Sequence, residues 1–225
     1  MSPERDPDMT RLLTTIVELP TMAQTIEQIT AFAAETFRTP HAGVTLIRDR
    51  GRRLEVAGPT DDAVRAADEL QDALKQGPCV DAVTASRTVV SNHVASDARW
   101  PVWGPRAAAL GLGSVLSSEV HAGGHRVGTL NIYDRPGREF SRSDLEVAQA
   151  LAGHAAVALR FSAKIEGLTV ALDSRTTIGQ AQGILMERYG IDGDRAFAVL
   201  KRYSQAENTR LVEVAQQLIA ESVRP

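Results

Sequence analysis

From Asp144 to Tyr189 the sequence runs without a proline, and no other stretch constrains the fold so strongly. Proline lacks the amide donor and clashes with the preceding turn, so its absence over roughly 45 positions lets one helix continue throughout. Ser141, with Asp144 three residues on, supplies a cap at the start. Phe161, Ile165, Leu168 and Leu172 recur at steps of 4, 3 and 4, and Leu151, His154 and Ala158 continue the same seam backwards. That spacing is the seam of a parallel coiled coil, short because only its four central positions are strongly apolar. A helix this long cannot be covered along its length by small domains of its own chain, so a homodimer is expected through residues 141–173.

Beyond Ser174 three apolar patterns of helical period follow one another. Ile178, Ala181, Leu185 and Tyr189 recur at steps of three and four, residues 196–204 form a second pattern, and Leu211, Val214, Ala215, Leu218 and Ile219 form a third. Gly190 ends the first in a left-handed cap, Asp192 caps the second, and Asn208 or Thr209 is expected to cap the third. Such a unit is small for a free-standing core and needs a neighbour. Gly183, inside a helix, is expected to admit a neighbouring helix, and Met186 and Phe197 are expected in the core.

The residues Arg175, Ile178, Ala181, Gly183, Leu185 and Met186, then Ala196, Phe197, Leu200, Ser204, Asn208, Leu211, Val214 and Ala215, at these spacings resemble the ANTAR domain. The resemblance implies an RNA-binding unit over 174–225 that grips hairpins in nascent transcripts and prevents termination. The chain itself offers a cluster with suitable chemistry: Lys201, Arg202, Gln205, Asn208 and Arg210 lie within ten positions at a helix-loop-helix corner, with Tyr203 among them. Amide and guanidinium groups with an aromatic face read unstacked bases. Composition alone favours a solvated helix end with Asn208 as a cap; the resemblance reverses that in favour of RNA. Arg188 and Arg175 rank lower as contacts.

The N-terminal part reads as a separate α+β domain. Residues 1–8 form a polar, disordered lead, and helical spacing from Thr10 to Phe37 is interrupted at Pro20. Residues 42–48 and 53–58 read as strands joined through Asp49, Arg50 and Gly51. A helix over 61–75 carries Val64, Ala67, Leu70 and Leu74 inward, followed by a loop over 76–79 and a short helix over 80–85. Further strands are read at 88–91, 113–121 and 126–133, the last two around a Gly123-Gly124 turn, with a helix at 101–110. Gly77 to Cys79, Trp100, the Leu112 to Leu116 run, the Val127 to Tyr133 strand and the Phe140 to Asp144 helix start together resemble the GAF domain, over residues 9–165. That resemblance implies a sensor built on an antiparallel sheet. Its cyclic-nucleotide signature is missing here, so the GAF ligand is unknown and no cofactor is expected.

Composition narrows the function. No run approaches the roughly 18 apolar residues of a membrane helix and the N-terminus lacks the apolar core of a signal peptide, so a cytoplasmic protein with no membrane partner is expected. Arginine outnumbers lysine 22 to 3, which suggests a GC-rich bacterial genome. Net charge is −3, with 18 basic against 20 acidic residues up to 165 and 7 against 8 after it, so RNA contacts must be local rather than polybasic. Cys79 is the single cysteine, excluding a disulfide, and reads as a buried structural thiol. The five histidines have no metal-ligand spacing. The reading is therefore a non-enzymatic, signal-responsive RNA-binding antiterminator. Its alternatives are a GAF-containing regulator whose helical tail binds DNA or a protein partner, and a GAF-type sulfoxide reductase, which would need several cysteines.

Overall fold

A computed structural model of the chain describes residues 21–48 and 53–222. The N-terminal lead, the helix read before Pro20 and the turn at 49–51 lie outside the described residues. The chain divides into two compact units, residues 1–163 and 164–225.

The first unit contains α1 (Met22–Phe37), β1 (His41–Arg48), β2 (Arg53–Ala57), α2 (Asp62–Leu74), α3 (Pro78–Ala85), β3 (Val89–Ser91), a 3-10 turn at Val94–Ser96, α4 (Trp103–Ala109), β4 (Ser114–Ala122), β5 (His125–Asp134) and the first part of α5 (Arg142–Tyr189). Its five strands make one sheet in the order β2-β1-β5-β4-β3, every neighbouring pair antiparallel. Gly123 and Gly124, both at positive φ, form the turn between β4 and β5, where a side chain would strain the backbone.

Strand alternation assigns the sheet's two faces. Ala42, Val44, Leu46, Leu130 and Ile132 pack with α1 residues Ile26, Ile29 and Phe37 and with Leu151, Ala155 and Leu159 of α5. Val115 and Tyr133 instead pack with Val64, Ala67, Ala82, Trp100 and Trp103 under α2, α3 and α4. The two indoles meet edge to face at 5.4 Å; Trp103 donates to the Ala67 carbonyl and Trp100 to the Asp81 carboxylate, each at 2.9 Å. Ser141 and Asp144 exchange backbone-to-side-chain bonds at the start of α5, as their spacing predicts.

Two local expectations change here. Pro78 and Cys79 belong to α3 rather than to a loop, because proline at the first helical position loses no intrahelical bond. Leu151 and Ala158 belong to the first unit's core and cannot continue a dimer seam. Between residues 142 and 173 of α5 the exposed large apolar residues Val157, Phe161, Ile165, Leu168 and Leu172 fall in an arc of roughly 80° at 100° per residue, with Val170 exposed off it. From Val157 to Leu168 the steps are 4, 4 and 3, an 11-residue spacing instead of a strict heptad.

The second unit packs the end of α5 with α6 (Gly193–Ala206) and α7 (Leu211–Ser222). Ala181, Leu185, Ala196, Leu200, Val214 and Ala215 form its core, bordered by Ile178, Ile191, Leu211, Leu218 and Ile219. Gly190 ends α5 at φ +64°, and Asp192 caps α6 by accepting from the Arg195 amide at 2.8 Å. The cap expected of Asn208 or Thr209 on α7 does not form. Asn208 takes φ +49° and closes α6, with the Thr209 amide reaching back to the Ser204 carbonyl at 3.0 Å, while Glu213 accepts from the Arg210 amide at 3.3 Å.

Candidate functional site

The core of the second unit is made of small and medium side chains, and it closes before several larger ones reach it. Met186 and Phe197 are 41% and 40% exposed, contrary to their expected place in the core. Gly183 is also exposed, and a Cβ there would meet nothing within 4 Å, so no helix approaches it as expected. The helical stripe rule points side chains towards a core, but a core filled by Ala181, Leu185, Ala196 and Leu200 leaves the flanks of that stripe in solvent.

Lys201, Arg202, Gln205, Asn208, Arg210 and Arg188 are all exposed. The helix period separates them. Taking the buried Leu200 as the inward direction, Lys201 and Gln205 lie one turn apart on one flank of α6 beside Phe197, and Arg202 lies on the outer face. Val199 and Tyr203 occupy the opposite flank, so Tyr203 does not join the Lys201 and Gln205 row. It lines a groove of about 560 Å³ with Arg188, Tyr189, Leu185, Leu218 and Gln217. Tyr203, expected among the cations and amides of the corner, thus stands apart from Lys201 and Gln205; each residue's helical angle from Leu200 separates the two flanks.

The first unit holds a different kind of cluster, which local pattern did not reveal. Asp68 is fully buried between α2 and the sheet, where its carboxylate accepts from the Tyr133 hydroxyl at 2.5 Å, the Gln71 amide at 2.9 Å and the Asn131 amide at 3.1 and 3.2 Å, with Thr45 at 3.4 Å. Burial pushes its pKa up to about 6, against those hydrogen bonds, which pull it down. Gly43 on β1 makes the space, since a Cβ there would lie 2.9 Å from Val64. The available signal was that Asp68 shares one helical face with Val64 and Gln71.

Cys79 is buried beside this cluster, its sulfur 2.9 Å from the Thr129 hydroxyl and its amide donating to Gln71 at 2.7 Å. Burial, and then the neighbouring Asp68 charge, push the thiol up to about 12, so it carries no reactive thiolate near neutrality. Among the described residues no helix is long and apolar enough to cross a membrane.

The GAF domain profile matches residues 20–160 and the ANTAR domain profile residues 166–219. The chain belongs to the GAF family and carries an ANTAR domain C-terminal to it. GAF domains are sensory and ANTAR domains are RNA-binding modules of antitermination regulators, so both halves are regulatory. No curated protein matches the sequence at a significant level.

Solved structures agree on the fold. The GAF domain of an Acinetobacter phosphoenolpyruvate-protein phosphotransferase is similar at 12% identity and TM-score 0.59, over 74% of this chain and 99% of that one. The corresponding GAF domain from Coxiella burnetii gives 14% and 0.54, over 72% and 97%. Free methionine-R-sulfoxide reductase from Neisseria meningitidis, solved with its substrate, gives 16% and 0.56, over 69% and 88%. At these identities the likeness concerns fold alone.

Proposed function

We propose that the protein binds paired stem-loops in nascent transcripts through its ANTAR unit and so prevents termination, in response to a signal received by the GAF unit. The observation that carries this reading is the ANTAR match over 166–219, on a three-helix unit whose Lys201, Arg202, Gln205, Asn208 and Arg210 side chains are all free to meet a ligand. The cations supply phosphate contacts and the amides read base edges. A homodimer would double the unit: the exposed Phe161, Ile165, Leu168 and Leu172, joined by Val157, form a continuous apolar stripe on α5. Two linked weak sites gain avidity of about 10² to 10⁴ when both engage. The signal acts by binding two states of the GAF unit with different affinity; its chemical identity is open.

The test is selection from an RNA library of tandem stem-loops with randomised loops, followed by gel shifts of the enriched RNA, its single hairpins and duplex DNA at two salt concentrations. Tandem RNA should bind best and duplex DNA worst. Replacing Lys201 and Arg202 with alanine should weaken every hairpin and flatten the salt dependence. Light scattering should show a dimer that Ile165→Glu with Leu168→Glu converts to monomers. Equal affinity for the tandem RNA and duplex DNA would end this reading.

A further inference from the structure

The groove on the α6 flank opposite Lys201 and Gln205 is unused by the contacts assigned so far, Arg188 excepted. Leu185, Leu200 and Val214 are its buried apolar members, and Tyr189, Tyr203, Arg188 and Gln217 are exposed in the same lining. A volume of about 560 Å³ lies within the range of small-ligand sites, roughly 300 to 1,000 Å³. The two tyrosines are 65% and 62% exposed, and neither hydroxyl has a hydrogen-bond partner among the described residues. The fold does not spend them on packing, because six other residues close the core of the unit. Arg188 has no ion pair among the described residues either, so its guanidinium is free for an anion; Glu221 is the one carboxylate in the lining.

Aromatic faces beside a free guanidinium and a side-chain amide form the set that holds an unstacked base and its phosphate: the ring stacks, the cation meets the negative backbone, and the amide reads an edge. We propose that this groove seats a single splayed-out loop base of the RNA, stacked against Tyr189 and Tyr203 with its phosphate on Arg188. The proposal rests on the RNA-binding reading and adds to it a second contact row on α6. Arg202, on the outer face between the two flanks, marks the path by which one RNA strand reaches both. The charge of Arg188 favours a nucleic acid over an apolar helix, which would need a row of apolar anchors and gain nothing from the cation.

The experiment uses the full-length protein and the selected tandem stem-loop RNA, with 2-aminopurine placed at each loop position in turn. Binding of the wild type should quench one loop position. Tyr189→Leu and Tyr203→Leu should abolish that quench and weaken binding by roughly 5- to 150-fold each, the range of a lost base-aromatic stack. Tyr189→Phe and Tyr203→Phe, which keep the ring, should retain both quench and affinity. Arg188→Ala should weaken binding and lower the salt slope. Unchanged melting curves for the leucine variants would assign these losses to the site rather than to folding. Equal RNA affinity for wild type and both leucine variants overturns the seat while leaving the RNA-binding reading intact. So does a change in oligomeric state without a change in RNA affinity, which would give the groove to a second copy. A selection that enriches no RNA, or enriched RNA that the wild type binds no better than duplex DNA, overturns both.

Discussion

The two units solve opposite problems with their polar and aromatic residues. In the GAF unit Trp100, Trp103 and Tyr133 are buried, and even a carboxylate, Asp68, is enclosed with donors on several sides. In the ANTAR unit Tyr189, Tyr203, Phe197 and Met186 stand in solvent around a core of six residues. An enclosed polar network fixes one arrangement of a sheet and its covering helices, since each unmet donor would be costly. Large apolar groups left outside a closed core are available to a ligand. Aromatic and polar side chains are thus largely enclosed in the first unit's core and largely left in solvent around the second's.

The largest effect should come from the enclosed side of this contrast. Trp103→Ala removes a fully buried indole and its bond to Ala67, and should cost the GAF unit about 3 to 5 kcal/mol. The chain has two tryptophans, both in this unit, so urea unfolding followed by the fluorescence of Trp100 reports it without interference from the ANTAR unit. A loss near the surface value, about 0.5 kcal/mol, would contradict the packing described.

Asp68 sharpens the comparison through pH. Its folded pKa of about 6 lies above the ordinary 3.8, so folding favours the protonated form. The stability this confers is fully present below pH 3.8 and is lost as pH rises through about 6. The change across that window is roughly 3 kcal/mol, from about 1.4 kcal/mol per pKa unit. Asp68→Asn should remove this component, so the stability difference between variant and wild type should move in the variant's favour as pH rises through the window. A difference independent of pH would show that Asp68 is not enclosed as described.

Much of the GAF unit was legible because its signals are local. Gly123 and Gly124 mark a turn that only positive φ can make, and Ser141 with Asp144 names a helix start within four residues. Asp68 was legible only in part: its place on one helical face with Val64 and Gln71 points it inward, but its partners Asn131 and Tyr133 lie more than 60 residues away, beyond the reach of any local pattern. In the ANTAR unit the apolar period located the three helices but overstated the core. Periodicity gives the direction of a stripe and not the width that the opposing helices can cover, and Met186 and Phe197, expected in the core as large apolar side chains usually are, fall outside that width. Asn208 was read as a cap for the wrong helix, because asparagine suits both a helix start and a left-handed helix end.

Two smaller effects probe the open side. Gly183→Ala should stabilise the ANTAR unit by about 1 kcal/mol, since the added methyl meets nothing and the helix loses its glycine penalty. Thermal melting followed by circular dichroism would show it; destabilisation would mean that something packs on Gly183 after all. Phe197→Ser should cost about 1 kcal/mol or less, against the roughly 3 to 5 kcal/mol of a buried phenylalanine. A large loss would return Phe197 to the core and erase part of the contrast between the units.

The proposed division of labour is tested most directly by photo-crosslinking the full-length protein to the selected tandem stem-loop RNA carrying 4-thiouridine in its loops, then mapping the crosslinked peptides. The account predicts crosslinks within the ANTAR unit, on the end of α5, on α6 and at the α6–α7 corner around Tyr189, Arg202, Tyr203 and Arg210. Crosslinks concentrated on the GAF sheet or its covering helices, with the ANTAR unit unmarked, would contradict it.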